Sequence, residues 1–112
     1  MEEDRIAIIH TNDVHGKLND YIGYDGLSAY VKDLQNSGYT VLLFDAGDSL
    51  QGKNDFETNE GAFVVNLMNN LGYLAMCAGN HDFSYGVENI ISLEKNMNFP
   101  ILSINILDAV TG

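Results

Sequence analysis

The chain has 112 residues, of which 46% are hydrophobic and 19% charged, with a single proline; this composition is typical of one folded globular domain and argues against disorder. Sixteen acidic residues against five basic ones give a formal net charge of -11, which argues against a nucleic-acid-binding surface, because neutralising phosphates requires clustered Lys and Arg. No apolar run approaches the length of a membrane span, and the acidic amino terminus lacks the basic-then-apolar layout of a secretory signal.

Four short apolar runs predict buried strands, namely Arg5 to Ile9, Thr40 to Phe44, Tyr73 to Cys77 and Pro100 to Ile104. The last residue of the third run, Cys77, is the one cysteine of the chain and cannot form an internal disulfide. Because it ends an apolar stretch, we expect it to be buried as a small hydrophobic side chain.

Between these runs, three segments carry apolar side chains at helical spacing: Leu27, Tyr30, Val31 and Leu34, then Phe63, Leu67, Met68 and Leu71, then Val87, Ile90 and Ile91 with Leu93 beside them. In the third segment Glu94 continues the same helical spacing. Gly38 and Gly72 stand where the first two helices should end. The alternation predicts a layered α/β fold of βαβαβαβ order. We expect a parallel sheet with right-handed crossovers, helices on its faces and a strand order compatible with a doubly wound layer.

Three polar segments follow the first three predicted strands and contain all three histidines of the chain: His10–Gly16, Asp45–Ser49 and Gly79–Asp82. In an open parallel sheet the carboxyl ends of the strands share one edge, and ligands bind beyond that edge. Carboxylates beside imidazoles and an amide carbonyl are the ligands expected of a catalytic divalent metal site, whereas a structural zinc site would usually recruit thiolates. The pattern therefore predicts a metal site at this edge.

Within the first segment, Asp13 and His15 are separated by one residue, which can direct both side chains toward a common ion. Taken alone, such a pair is more often a hydrogen-bonded part of a loop than a metal site. In the second segment, Asp48 follows Gly47, whose missing side chain allows a sharp turn and a close approach to a ligand. Asp48 is therefore a further candidate ligand.

Asp45 ends its predicted strand, so we expect it to cap the amides of the following loop. In the third segment, Asn80 offers a neutral carbonyl ligand, and His81 beside it could donate a proton or a hydrogen bond. Each residue alone has a structural explanation, but their placement at three successive strand ends favours a functional site.

The three segments, in this order and with these gaps, resemble the amino-terminal part of the calcineurin-like metallophosphoesterase domain of the 5'-nucleotidase family. Leu71–Tyr73 and Phe99–Ile106 are similar to the family as well, and the resemblance spans Ile6 to about Ile106. It implies that residues 1–112 form a truncated amino-terminal part of that domain, half of an αββα sandwich. Members of the family are typically secreted, periplasmic or surface-anchored, although this chain shows no signal peptide.

The resemblance also implies an activity and its residues. The family hydrolyses nucleoside phosphomonoesters, with 2',3'-cyclic nucleotides as further candidates, and uses two divalent metal ions such as zinc or manganese. By position, Asp13 and His15 would bind the first ion, Asp48 would bridge both, Asn80 would bind the second, and His81 would face the substrate phosphate. Two cations about 3.5–4 Å apart can clamp an in-line displacement at phosphorus.

The chain departs from the family pattern in two respects. The family usually carries an acidic residue three positions after this histidine, where it orients the imidazole, and here that position is Ser84. No histidine follows His81, although the family takes further histidine ligands from a second half and stacks the nucleoside base on a separate carboxy-terminal domain. These regions are therefore implied as missing partners, and the activity of the fragment itself stays open.

Two alternatives come from other classes. The first is a noncatalytic metal-binding or interaction remnant of the same fold, which a phosphatase assay with added manganese or zinc would distinguish from the enzyme. The second is a nucleotide-binding switch of flavodoxin-like architecture, which is disfavoured because the sequence contains no Gly-rich phosphate loop.

Overall fold

The computed structural model describes residues 3–15, 22–50 and 61–111. The strands in these ranges are β1 (Arg5–Thr11), β2 (Tyr39–Asp45), β3 (Ala75–Cys77) and β4 (Ile101–Leu102). The α-helices are α1 (Gly23–Asn36), α2 (Ala62–Leu71) and α3 (Val87–Glu94), and a short 3-10 helix, Asn80–Phe83, lies between β3 and α3. The predicted βαβαβαβ order is confirmed. None of the helices in the described ranges combines the length and apolar character needed to cross a bilayer.

The four strands form one parallel sheet of order β1-β2-β3-β4. The longest pairing joins β1 to β2, in register from Arg5 opposite Tyr39 to Thr11 opposite Asp45. Each strand lies beside the next one in the chain, so the order contains no reversal, and right-handed crossovers between such neighbours place successive helices on the same face. The sheet is therefore singly wound, and the expectation of a doubly wound order is wrong.

The hydrophobic core lies between the sheet and the helices. Its members from the strands include Leu43 and Met76, and those from the helices include Tyr24, Leu27, Val31, Val64, Val65, Met68 and Leu93. In α1 the three buried positions recur at spacings of three and four residues, so a single stripe of that helix faces the sheet. Each large apolar side chain buried in this way stabilises the fold by roughly 1.5–3 kcal/mol.

The opposite face of the sheet carries exposed apolar side chains, with Ile6 61% and Ile8 71% exposed on β1. The sheet and its helix layer correspond to two of the four layers of the predicted sandwich. Cys77 is exposed, so the expectation that it is buried is wrong. Side chains alternate along a strand, and because Met76 points into the core, its neighbour Cys77 points away from it.

The first two helices end at the predicted glycines. Gly72 has φ 83° and, as the residue after α2, donates its N–H to the carbonyl oxygens of Met68 and Asn69. Gly38 has φ 91° and donates to the carbonyl of Gln35. Positive φ angles favour glycine, and both turns release the chain toward the next strand.

Candidate metal centre

The loops that follow β1 and β2 run side by side beyond the carboxyl edge of the sheet. The Asp13 N–H donates to the carbonyl oxygen of Gly47 at 2.9 Å, and the His15 N–H donates to that of Asp48 at 2.8 Å. In the other direction, the Ala46 N–H donates to the carbonyl of Thr11 at 2.7 Å. These bonds continue the β1–β2 pairing into the loops and bring Asp13, His15 and Asp48 to one place.

The 3-10 helix after β3 brings His81 to the same place. One ligand atom each from His15, Asp48 and His81 lies within 4.8 Å of the others, and this trio is called the metal-ligand cluster below. The two imidazole rings meet edge to face, with their centroids 4.9 Å apart and their planes at 87°. An imidazole nitrogen and a carboxylate oxygen are ligands that suit a divalent transition metal ion, and the second imidazole lies beside them.

The other two predicted ligands lie on the segments that carry the cluster. Asp13 has a side chain 61% exposed, and its Oδ1 is 3.6 Å from Nε2 of His15. The Asn12 side-chain amide donates to Asp13 Oδ2 at 2.6 Å. Asn80 is exposed and is the first residue of the 3-10 helix that contains His81. The structure thus groups His15, Asp48 and His81, with Asp13 beside His15.

Three of the predicted ligands adopt the left-handed backbone conformation, which is uncommon for residues other than glycine. Asp13 has φ 56°, His15 φ 52° and Asp48 φ 57°. The conformation costs roughly 1–2 kcal/mol per residue and persists only where neighbouring contacts enforce it. The hydrogen bonds between the two loops are such contacts. Strain of this kind gathers at functional sites, which agrees with the metal site predicted here.

Asp45 caps the second loop from inside, and this prediction is confirmed. Its carboxylate accepts hydrogen bonds from the Gly47 N–H at 2.8 Å and from the hydroxyls of Thr11 and Ser49, both at 2.6 Å. Because Thr11 donates to Asp45, the Tyr73 hydroxyl donates to Thr11, at 2.7 Å. Burial raises the pKa of Asp45, and the bonds from Ser49, Thr11 and Gly47 offset part of that rise.

Asp82 is a site residue whose place sequence reasoning missed. Its side chain is fully buried and accepts four hydrogen bonds from backbone N–H groups, those of Asp48, Ser49, Leu50 and Gly79, at 2.8–3.1 Å. In the sequence Asp82 stands directly after His81, at the end of the third polar segment. An acidic residue next to an exposed histidine carries no signal of burial, so the sequence pattern alone could not have located it.

Two glycines let the second loop pack against the turn before the 3-10 helix. Gly47 has φ 107°, and a Cβ there would lie 2.8 Å from the backbone nitrogen of Gly79. A Cβ on Gly79 would overlap the carboxylate of Asp48. Gly47 therefore provides the predicted sharp turn, and the close approach it permits is to the neighbouring loop. At that contact the His81 N–H donates to Asp48 Oδ1 at 2.9 Å.

A parallel α/β sheet with histidines and a carboxylate beyond its carboxyl edge has its candidate site where open sheets of this class bind their ligands. Residues 6–110 match the calcineurin-like phosphoesterase family, and the chain belongs to it. Membership implies a site for divalent metal ions.

Relatives of the chain include 5'-nucleotidases of animals. Over 116 residues it is 41% identical to the 5'-nucleotidase of Bos taurus, an alignment that covers 90% of this chain and 20% of the bovine protein. It is 39% identical to the snake venom 5'-nucleotidase of Naja atra, with 90% of this chain and 22% of that protein covered. The chain thus spans about a fifth of the length of these relatives.

Solved structures share the fold. A 5'-nucleotidase precursor from Thermus thermophilus superimposes with a TM-score of 0.76 at 28% identity, over 86% of this chain and 21% of that one. The NAD nucleotidase of Haemophilus influenzae gives a TM-score of 0.78 at 26% identity, over 91% of this chain and 21% of that one. The predicted α/β fold and the predicted family are both confirmed.

Proposed function

We propose that this chain forms part of the active centre of a metal-dependent phosphoester hydrolase of 5'-nucleotidase type, with nucleoside phosphomonoesters as substrates and 2',3'-cyclic nucleotides as further candidates. The observation that supports it most strongly is the convergence of His15, Asp48 and His81 within 4.8 Å at the carboxyl edge of the sheet. The 5'-nucleotidases among the relatives support the choice of substrate class.

The proposed site holds two divalent ions, such as zinc or manganese. Asp13 and His15 would hold the first, Asp48 would contact both, and Asn80 would hold the second. When bound, such ions lower the pKa of a coordinated water and neutralise charge on phosphoryl oxygens. The His81 N–H donates to Oδ1 of Asp48 at 2.9 Å, which restricts the rotation of this carboxylate.

His81 is proposed as the residue that faces the substrate phosphate. From the edge of the metal-ligand cluster, its imidazole can donate a hydrogen bond to a phosphoryl oxygen or assist the departure of the leaving oxygen. The main chain of His81 is held on both sides, because its N–H donates to Asp48 and its carbonyl accepts from Ser84. Both backbone groups of His81 are therefore held by hydrogen bonds, which fixes the point from which its ring extends.

The proposal extends beyond the chain itself. Because the chain spans about a fifth of the length of its relatives, we expect further metal ligands and the surface that binds the nucleoside base to lie in the remaining parts of such proteins. The preferred activity assay is therefore made on the full-length protein. Within this chain, the substrate contact is expected at the phosphate.

The test is release of phosphate from a nucleoside monophosphate with added manganese or zinc, comparing the wild-type protein with His81→Ala. The His81→Ala protein should lose at least about a hundredfold in kcat, the lower end of the range for general acid-base catalysis. His10→Ala is the matched control, because His10 lies in the same polar segment but on β1, at an exposed position opposite Phe44. Equal activity of the wild-type and His81→Ala proteins would contradict the proposed role.

The noncatalytic alternative gives a different outcome in the same assay. A remnant that keeps the metal-ligand cluster would bind manganese but release no phosphate from any nucleotide tested. Metal binding without turnover by the full-length protein would therefore favour the remnant over the hydrolase.

A further inference from the structure

The carboxylate of Asp82 meets the backbone of two loops in the interior of the protein. Its Oδ2 accepts from the N–H groups of Asp48 at 2.8 Å and Gly79 at 2.9 Å, and its Oδ1 accepts from those of Ser49 at 3.1 Å and Leu50 at 2.9 Å. Three consecutive amides thus converge on one carboxylate, as they do in backbone anion sites. A fully buried carboxylate requires such partners, since its desolvation is otherwise costly.

One of these bonds acts directly on Asp48, the acidic member of the metal-ligand cluster. Asp48 has φ 57°, and its backbone is held on both sides, by Asp82 at its N–H and by the His15 N–H at its carbonyl oxygen. Its side chain is held as well, because Oδ1 accepts from the His81 N–H at 2.9 Å. A left-handed aspartate persists only when several contacts enforce it, and Asp82 supplies the contact on its amino-terminal side.

We propose that Asp82 is a positioning residue, which fixes the carboxylate of Asp48 against the His81 turn and so assembles the metal-ligand cluster before an ion binds. The inference rests on the proposed function, because it takes the cluster to be a metal site. Groups that orient metal ligands typically contribute a factor of about 10–100 to metal affinity. Asp82 acts through the backbone of the ligand residue and touches no substrate.

The arrangement requires a carboxylate at position 82. Each oxygen accepts two N–H groups, so all four donors point at acceptors. In an asparagine the side-chain NH2 would replace one oxygen and would face two N–H donors, leaving them without an acceptor. Asp82→Asn therefore changes shape very little while removing half of the hydrogen bonds.

The experiment measures the affinity of the chain for Mn²⁺ by calorimetry, together with hydrogen exchange of the amides of residues 48–50 by NMR. Asp82→Asn should weaken Mn²⁺ binding by about tenfold or more and speed exchange at those amides. The control is Met68→Ala, which truncates a fully buried side chain of α2 and lowers stability through lost packing. It should leave the affinity within about threefold of wild type, well short of the factor expected for an orienting group. Equal weakening in the two variants would overturn the proposal.

If Asp82→Asn does not fold, Asp82→Glu tests the positioning role of Asp82 instead. This variant keeps a carboxylate but displaces it by one methylene. Amide protection and Mn²⁺ affinity should then be kept together or lost together, and loss of protection with unchanged affinity would overturn the proposal. A wild-type chain that binds no Mn²⁺ would count against the proposed function, whereas unchanged amide protection in Asp82→Asn would count against the role of Asp82.

Discussion

The hydroxyl of Ser84 donates a hydrogen bond to the backbone carbonyl oxygen of His81 at 2.6 Å. Ser84 thus binds the main chain of the proposed catalytic residue, at the position where the 5'-nucleotidase pattern places an acidic residue that orients the imidazole. The neighbouring carboxylate, that of Asp82, accepts four backbone N–H groups and is fully buried. Asp82 and Ser84, which could otherwise orient the ring of His81, are therefore both hydrogen-bonded to backbone groups instead.

We accordingly expect Ser84→Asp to raise the turnover of the full-length protein. A carboxylate at position 84 cannot donate to the His81 carbonyl and is free to accept a hydrogen bond from the ring, which would stabilise the imidazolium. We expect the gain to stay within about a hundredfold, the lower end of the range for general acid-base catalysis. The measurement is kcat for a nucleoside monophosphate, with Ser84→Ala as the control that removes the hydroxyl without adding charge. Unchanged or lower turnover in Ser84→Asp would show that another residue already orients the ring.

A second prediction concerns Asp45 and pH. Burial raises the pKa of Asp45 above its ordinary 3.8, so between that value and the folded-state pKa the folded chain binds more protons than the unfolded chain. The contribution of Asp45 to the free energy of unfolding should therefore decrease as pH rises through this window. Urea unfolding should be measured for the wild type and Asp45→Asn from about pH 4 upward. The free energy of unfolding of the wild type minus that of the variant should decrease as the pH rises. A difference that grows with pH would contradict the assignment.

The order of strands and helices could be predicted from the sequence, because apolar runs and helical spacing are local patterns that can be recognised without knowing the tertiary contacts. Strand β1 nevertheless continues past its apolar run to Thr11, because Thr11 still pairs with Asp45 on β2. The exposure of Cys77 and the singly wound order were likewise not predicted, since they depend on which face each helix covers. The face of the sheet that a helix covers is a property of the tertiary structure, and local periodicity does not encode it.

The candidate site likewise combines features that the sequence predicted with features that depend on tertiary contacts. The convergence of His15, Asp48 and His81 could be anticipated because parallel strands end at one edge. The left-handed conformation of the predicted ligands and the burial of Asp82 could not, because hydrogen bonds across more than 30 residues enforce them, such as that from Asp48 to Asp82. The residue types therefore predicted the candidate ligands, but not the hydrogen bonds that hold these ligands in position.

A third prediction tests the close packing of the second loop. Gly47 and Gly38 both have positive φ, at 107° and 91°, but a Cβ on Gly47 would lie 2.8 Å from the Gly79 nitrogen, whereas nothing lies within 4 Å of one on Gly38. Gly38→Ala should cost roughly 1–2 kcal/mol of unfolding free energy from backbone strain alone. Gly47→Ala should cost more and should also weaken Mn²⁺ binding, because the second loop must move from Gly79. Equal losses of stability in urea unfolding would show that the contact relaxes freely.

The fourth prediction is that this chain binds at most one divalent ion, and weakly. By the proposed assignment the first ion has three ligands here, Asp13, His15 and Asp48, and the second has only Asp48 and Asn80. Open catalytic sites normally keep about three protein ligands, so only the first approaches completeness.

Calorimetric titration with Mn²⁺ or Zn²⁺ should accordingly give a stoichiometry no higher than one ion per chain. Asp48→Ala should abolish the binding, because Asp48 belongs to both proposed sites and its carboxylate is the acidic member of the metal-ligand cluster. His10→Ala should leave it unchanged, since His10 lies on β1 opposite Phe44. Two tight sites per chain would contradict the assignment and would require ligands from a second copy, which sedimentation of the metal-bound protein would reveal as a dimer.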